Sequence, residues 1–143
     1  MAELLRSGKG IIVRRLLTDA SARPVGPFKD EAAALAFLRD RLVVALRPRA
    51  IWQFGSRARG DHDDDSDFDL LVVLPDGLPP EAYAPDRVAE PVIGCGLGYD
   101  IVPCSWSEFL KDRDLPGTLV HNAVTEGRAI YRDRALRKGE RAA

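Results

Sequence analysis

Leucines at positions 35, 38, 42 and 46 recur at three- and four-residue steps through an alanine-rich stretch, the spacing of one helical face. Asp30 and Glu31 stand where a helix start favours capping and acidic groups, and Pro48 lies just past the end. The pattern predicts an amphipathic helix of about four or five turns. The period then shortens. AIWQF, residues 50–54, is aromatic and β-rich and runs into Gly55, so it predicts a strand ending in a tight turn. FDLLVVL, 68–74, is apolar on both faces beyond Asp69 and stops at the breaker Pro75-Asp76-Gly77, as suits a central strand covered on both sides. YDIVPCSW, 99–106, predicts a third strand, near an edge because Pro103 cannot donate to a ladder. Prolines punctuate the stretch before it, which reads as a loop with one broken helix. Ser107 is placed to cap a short helix through Asp112, and LPGTLVHNAVTEG predicts another helix, stopped at Gly127 before a short AIY strand.

The ends are less readable. Gly8 and Gly10 interrupt any early helix, Pro24, Gly26 and Pro27 close the segment, and IIVRRLL fits a strand or a helical turn equally. The expected organisation is an extension of uncertain structure over 1–28, a domain over 29–132 and a polar tail over 133–143. A chain of 143 residues suits one domain, and one of that size buries roughly 70% of its unfolded surface. Its 45% hydrophobic and 30% charged residues are ordinary for a folded soluble protein, and a net charge of -1 leaves direct nucleic-acid binding unexpected. Cys95 and Cys104 lack the spacing and nearby histidines of a zinc site and read as reduced structural thiols. The amino end has no signal-like apolar stretch, and the longest apolar run, 32–38, falls far short of a membrane span. A cytoplasmic protein is expected.

The candidate chemistry lies in GSRARGDHDDDSDFDLLVVL, 55–74. Strand, Gly55-Ser56 and a helical turn form an arrangement that can cradle phosphate through free backbone N–H groups, with a serine hydroxyl as a further donor. Arg57 and Arg59 stand within guanidinium reach of such an anion. Asp67 and Asp69 are two apart at a strand start, so their carboxylates share a face and repel unless a proton or a cation intervenes. Mg²⁺ answers that need, because it takes hard oxygen ligands and shares carboxylates with substrate phosphates. Asp100, at the head of another strand, is the third candidate. Asp61, Asp63, Asp64 and Asp65 read as solvated loop. A calcium loop starting at Asp61 fails, with Ser66 at its sixth place and Val72 at its twelfth. GCGLG, 94–98, precedes a strand and reads as a flexible turn rather than a dinucleotide loop. His121 reads as structural and Trp52 and Trp106 as core or core-edge anchors.

Gly55-Ser56, ten intervening residues, then Asp67-Phe68-Asp69 resembles the signature of the DNA polymerase β-like nucleotidyltransferase superfamily. GSRARG with SDFDLLV is similar to its minimal members, the MNT-domain proteins, many of them antitoxins of HEPN toxins. The resemblance spans roughly residues 30–132. It implies an α/β fold with a small mixed sheet flanked by helices. It implies that Gly55 and Ser56 hold the phosphates of ATP with Arg57 as an added contact. Asp67 and Asp69 would coordinate two Mg²⁺ ions, and Asp100 would complete one site and orient or deprotonate the attacking hydroxyl. A HEPN-type partner, adenylylated on a tyrosine, is the acceptor it suggests, in a homo- or hetero-oligomer. At this length the chain is not expected to carry the further domain of antibiotic- or RNA-modifying relatives. Two other readings stay open: a non-catalytic binding antitoxin of the same fold, and a small-molecule transferase completed by a dimer partner.

Overall fold

A computed structural model describes residues 23–134, and the chain divides into compact units at Ala34/Leu35. The expectations for the extension and the tail therefore fall largely outside the described residues. Within the first unit, Val25 and Phe28 exchange two backbone hydrogen bonds of 2.9 Å around a turn in which Gly26 takes φ 56°. Asp30 then caps the coming helix by accepting from the Ala33 N–H at 2.8 Å.

Helix α1 (Glu31–Leu46) follows the leucine spacing: Leu35, Leu38 and Leu42 are buried, while Val44 on the other side is exposed. It stops where Arg47 turns to φ 49° ahead of Pro48. Strand β1 (Ala50–Phe54) leads directly into the short helix α2 (Gly55–Arg59), which Gly60 ends in the left-handed conformation. Strand β2 (Phe68–Leu74) follows. Residues 80–92 then form two 3₁₀ turns around a one-turn helix, α3 (Pro85–Ala89), so the proline-rich stretch is a helix broken into three pieces. Strand β3 (Tyr99–Ser105), α4 (Trp106–Asp112), α5 (Leu119–Glu126) and β4 (Arg128–Arg132) complete the described chain.

The four strands form one mixed sheet in the order β3-β2-β1-β4. β1 runs antiparallel to both β2 and β4, whereas β2 and β3 are parallel. The interior place of β2 matches its apolar run, with Leu70 to Val73 fully buried, and β3 with its proline takes an edge. One face of the sheet, through Ala50, Leu71, Val73 and Cys104, joins Trp106 and Phe109 of α4 and Val120 and Ala123 of α5 in a single core cluster. Trp106 stacks on Phe109 at 5.6 Å between ring centroids. The cap of α4 differs from expectation. Ser105, not Ser107, accepts from the Glu108 N–H at 3.1 Å, because β3 stops one residue short of the expected end and Trp106 already opens the helix, leaving Ser105 in the extended N-cap conformation. Ser107 instead donates its N–H and hydroxyl to Asp76, at 2.9 and 2.6 Å, tying α4 to the turn after β2. Thr118 caps α5 through the His121 N–H, and the His121 ring meets the Arg113 carbonyl at 2.9 Å, a structural role.

Candidate active site

The sheet assembles the aspartates at one end. Parallel register sets Asp69 of β2 beside Asp100 of β3, and antiparallel register sets Phe54 of β1 on its other flank. Adjacent strands lie about 4.8 Å apart, and side chains at paired positions share a face. Asp67, one step before β2, has the parity of Asp69. The three carboxylates thus come from two strand starts more than thirty residues apart in sequence.

Their electrostatics record the convergence. Burial pushes the Asp69 carboxyl pKa above its ordinary value, and the negative charges of Asp100 and then Asp67 push it the same way, with Arg59 opposing. Asp67 and Asp100 are exposed while Asp69 is half-buried, and it is on Asp69 that burial acts. Among the described residues no three acidic, histidine or cysteine side chains already enclose a metal ion. The donor set nonetheless fits Mg²⁺: all are hard oxygens, and that ion keeps waters and shares one or two carboxylates with phosphate instead of needing a protein cage.

Two glycines shape this end. Gly55 opens α2 with φ 75°, and a Cβ there would strike the Asp69 carboxylate, with Cγ at 2.8 Å and Cβ at 3.1 Å. The absence of a side chain at Gly55 therefore lets its backbone press against Asp69. Gly98 does the same for Asp67, whose carboxylate occupies the space a Cβ would take, while its carbonyl accepts from the Phe68 N–H at 3.0 Å. Sequence reasoning missed Gly98 inside a stretch taken as a flexible turn. The available signal was its place one residue before the strand that carries Asp100.

Arg57, the residue expected as an added phosphate contact, has contacts within the chain. It is buried, donates from Nε to the Ser66 carbonyl at 2.9 Å and from a terminal nitrogen to the Asp64 carbonyl at 3.4 Å, and lies over the Phe68 ring. Arg59 is exposed and pairs with Asp61 at 3.3 Å and Glu126 at 3.7 Å. The aspartate loop is also more ordered than a merely solvated run. The Asp63 carboxylate accepts from the Asp65 N–H at 2.9 Å and the Ser66 hydroxyl at 3.2 Å, closing a turn on itself.

A family model described as a nucleotidyltransferase domain matches residues 35–114, more than half of the chain and the whole of the site. The chain belongs to that family. Its nucleotidyltransferase domain is similar in fold to a Sulfolobus solfataricus protein designated a candidate nucleotidyltransferase, with 21% identity, 68% of this chain and 77% of that one covered, and a TM-score of 0.44. It is also similar to a toxin–antitoxin structure with AMP-PNP, at 19% identity, 71% and 77% coverage and a TM-score of 0.46. No curated protein matches the chain significantly. The α/β class and the mixed sheet expected of a nucleotidyltransferase are thus those observed. No helix among the described residues is long and apolar enough to cross a membrane.

Proposed function

We propose that the protein is a Mg²⁺-dependent nucleotidyltransferase that moves AMP from ATP to a hydroxyl, most simply a tyrosine of a HEPN-type toxin that it thereby silences. One observation carries the enzymatic reading: Asp69 is made a costly anion by burial and by the charges of Asp100 and Asp67. A purely contact-based binder gains nothing from such repulsion, whereas a cation and a triphosphate relieve it. Asp67 and Asp69 would hold two Mg²⁺ ions and Asp100 would complete one of the sites. When bound, the ions supply charge neutralisation and a clamp on the attacking and leaving oxygens of an in-line displacement.

The remaining work belongs to the chain. Gly55 and Ser56 receive the β- and γ-phosphates, an approach that needs a bare backbone at Gly55. Asp100 orients the acceptor hydroxyl and takes its proton as the oxygen bonds to the α-phosphorus. The bond from that phosphorus to the bridging oxygen breaks, and pyrophosphate leaves. Positioning and charge neutralisation account for most of the rate. The choice of a HEPN-type acceptor is supported by the likeness of GSRARG and SDFDLLV to MNT antitoxins.

The test is transfer of label. With Mg²⁺, α-labelled ATP and the protein encoded by the neighbouring gene, the wild type labels that protein and Asp67→Ala does not. Neutralisation that needs no nucleotide and survives Asp67→Ala would leave only the binding module.

A further inference from the structure

We infer that Arg57 is a positioning residue for Asp67: one buried guanidinium grips the residues on both sides of it. Ser66, immediately before Asp67, is held by its carbonyl to Arg57 Nε at 2.9 Å. Phe68, immediately after, presents its ring face to the same guanidinium, with Cζ 4.5 Å from the ring centroid. A further hydrogen bond reaches the Asp64 carbonyl two residues upstream of Ser66. Phe68 is itself fixed, since its side chain is buried and its N–H donates to Gly98. The backbone that aims Asp67 is thus pinned on either side, while Gly98 crowds the carboxylate from a third direction. Arg57 sits in the middle of α2, the element that begins with Gly55-Ser56. It therefore couples the turn that faces phosphate to the loop that delivers a carboxylate.

The geometry requires arginine. A planar guanidinium donates in its own plane while its face stacks on a ring, and a lysine ammonium cannot do both at once. Charge alone will not substitute, which separates positioning from a phosphate contact that lysine could partly replace. The consequence for turnover rests on the function proposed above, but the hold on residues 61–67 does not.

The experiment compares the full-length wild type with Arg57→Lys and Arg57→Met. Amide exchange of the peptide covering 61–67 should accelerate in both variants, with β1 and the apolar part of β2 unchanged. Mn²⁺ affinity without nucleotide, read by electron paramagnetic resonance, should fall in both by about ten- to hundredfold, the range for a lost supporting contact behind a metal ligand. The kcat should fall to a similar degree while KM for ATP stays near the wild-type value. A raised KM in Arg57→Met that Arg57→Lys restores, with exchange at 61–67 unaltered, would overturn the inference in favour of phosphate contact. Phe68→Leu covers the case in which the arginine variants fail to fold: it keeps an apolar side chain but removes the stacking face, and unchanged exchange at 61–67 there would also count against the inference. If the wild type neither transfers label nor binds Mn²⁺, the proposed function fails, and the exchange arm still decides the role of Arg57.

Discussion

Replacing Gly98 by alanine should separate placement of the Asp67 carboxylate from stability of the fold. Gly98 is exposed, and it is not among the glycines with positive φ, so alanine meets no left-handed strain. The new methyl would meet the Asp67 carboxylate, whose Cγ lies 3.3 Å from the ideal Cβ and whose Oδ1 is nearer still. The Asp67 backbone, with its Cα at 3.9 Å, is in ordinary contact, so only the far end of a side chain has to move. Turning it off its rotamer costs about 0.5–1.5 kcal/mol. Restricting the unfolded chain returns roughly 0.4–1 kcal/mol. The two nearly cancel, and the unfolding midpoint should shift by only a few degrees, about what 1 kcal/mol produces in a domain of this size. A carboxylate displaced by about 1 Å, however, lowers transfer by roughly a hundredfold. Thermal unfolding and the labelled-transfer assay on the same preparation measure both. Wild-type activity in Gly98→Ala at an unchanged midpoint would refute the claim that Gly98 fixes Asp67. A loss of activity matched by loss of the folded fraction would refute the claim that the effect is local.

Three more outcomes follow from particular contacts. Asp69 has a folded pKa above its unfolded value, so its ionised form destabilises the fold: the penalty is absent below the unfolded pKa and grows as pH rises through the folded one. Asp69→Asn should therefore raise the unfolding midpoint at neutral pH without divalent cation, and the gain should vanish in acid; an equal gain at all pH values would contradict this. Asp63→Asn keeps the Oδ1 acceptor for the Asp65 N–H and should leave transfer nearly intact, whereas Asp63→Ala should loosen the loop and speed its amide exchange. Burial pushes the Cys104 thiol pKa up to about 12, with Glu108 and Asp112 adding to it, so a thiol reagent at mildly alkaline pH should modify half-buried Cys95 first and reach Cys104 only on unfolding; equal rates on the native protein would show that the thiol is not shielded.

The secondary structure and the family were legible because both are written in short-range spacing. The leucine steps of α1, the apolar run of β2 and the proline of β3 each have one physical reading, and each corresponds to an observed element. Asp67 and Asp69 stood out because two carboxylates on one strand face are hard to explain otherwise. Partnerships across the sheet were not legible. Nothing in the chain announces that Gly98 lies against Asp67, since that follows from the parallel pairing of β2 with β3 after a long crossover. The contacts of Arg57 were not legible for a related reason: its basic charge beside Gly-Ser suggests an anion, and only the returning chain shows that the Ser66 carbonyl and the Phe68 ring meet its guanidinium. The true cap of α4 was missed by two residues, because two serines flank Trp106 and only the extent of β3 decides between them.

The edge position of β3 bears on how the site comes together in time. β1 and β2 pair across a short connection, but β3 must return across residues 75–98 before Asp100 meets Asp69. Closing a longer loop costs more chain entropy, and an edge strand has one neighbour to hold it. Docking β3 at that end also brings like charges together, so the start of β3 is the seam where the sheet should open first. A divalent cation would act there as a local folding ligand. Amide exchange at residues 99–101 should slow on adding Mg²⁺ while the centre of β2 hardly changes, and an unaltered rate at 99–101 would count against it. The carboxylates would then make strand docking itself responsive to the ion, so that the carboxylate end of the sheet is completed in step with loading.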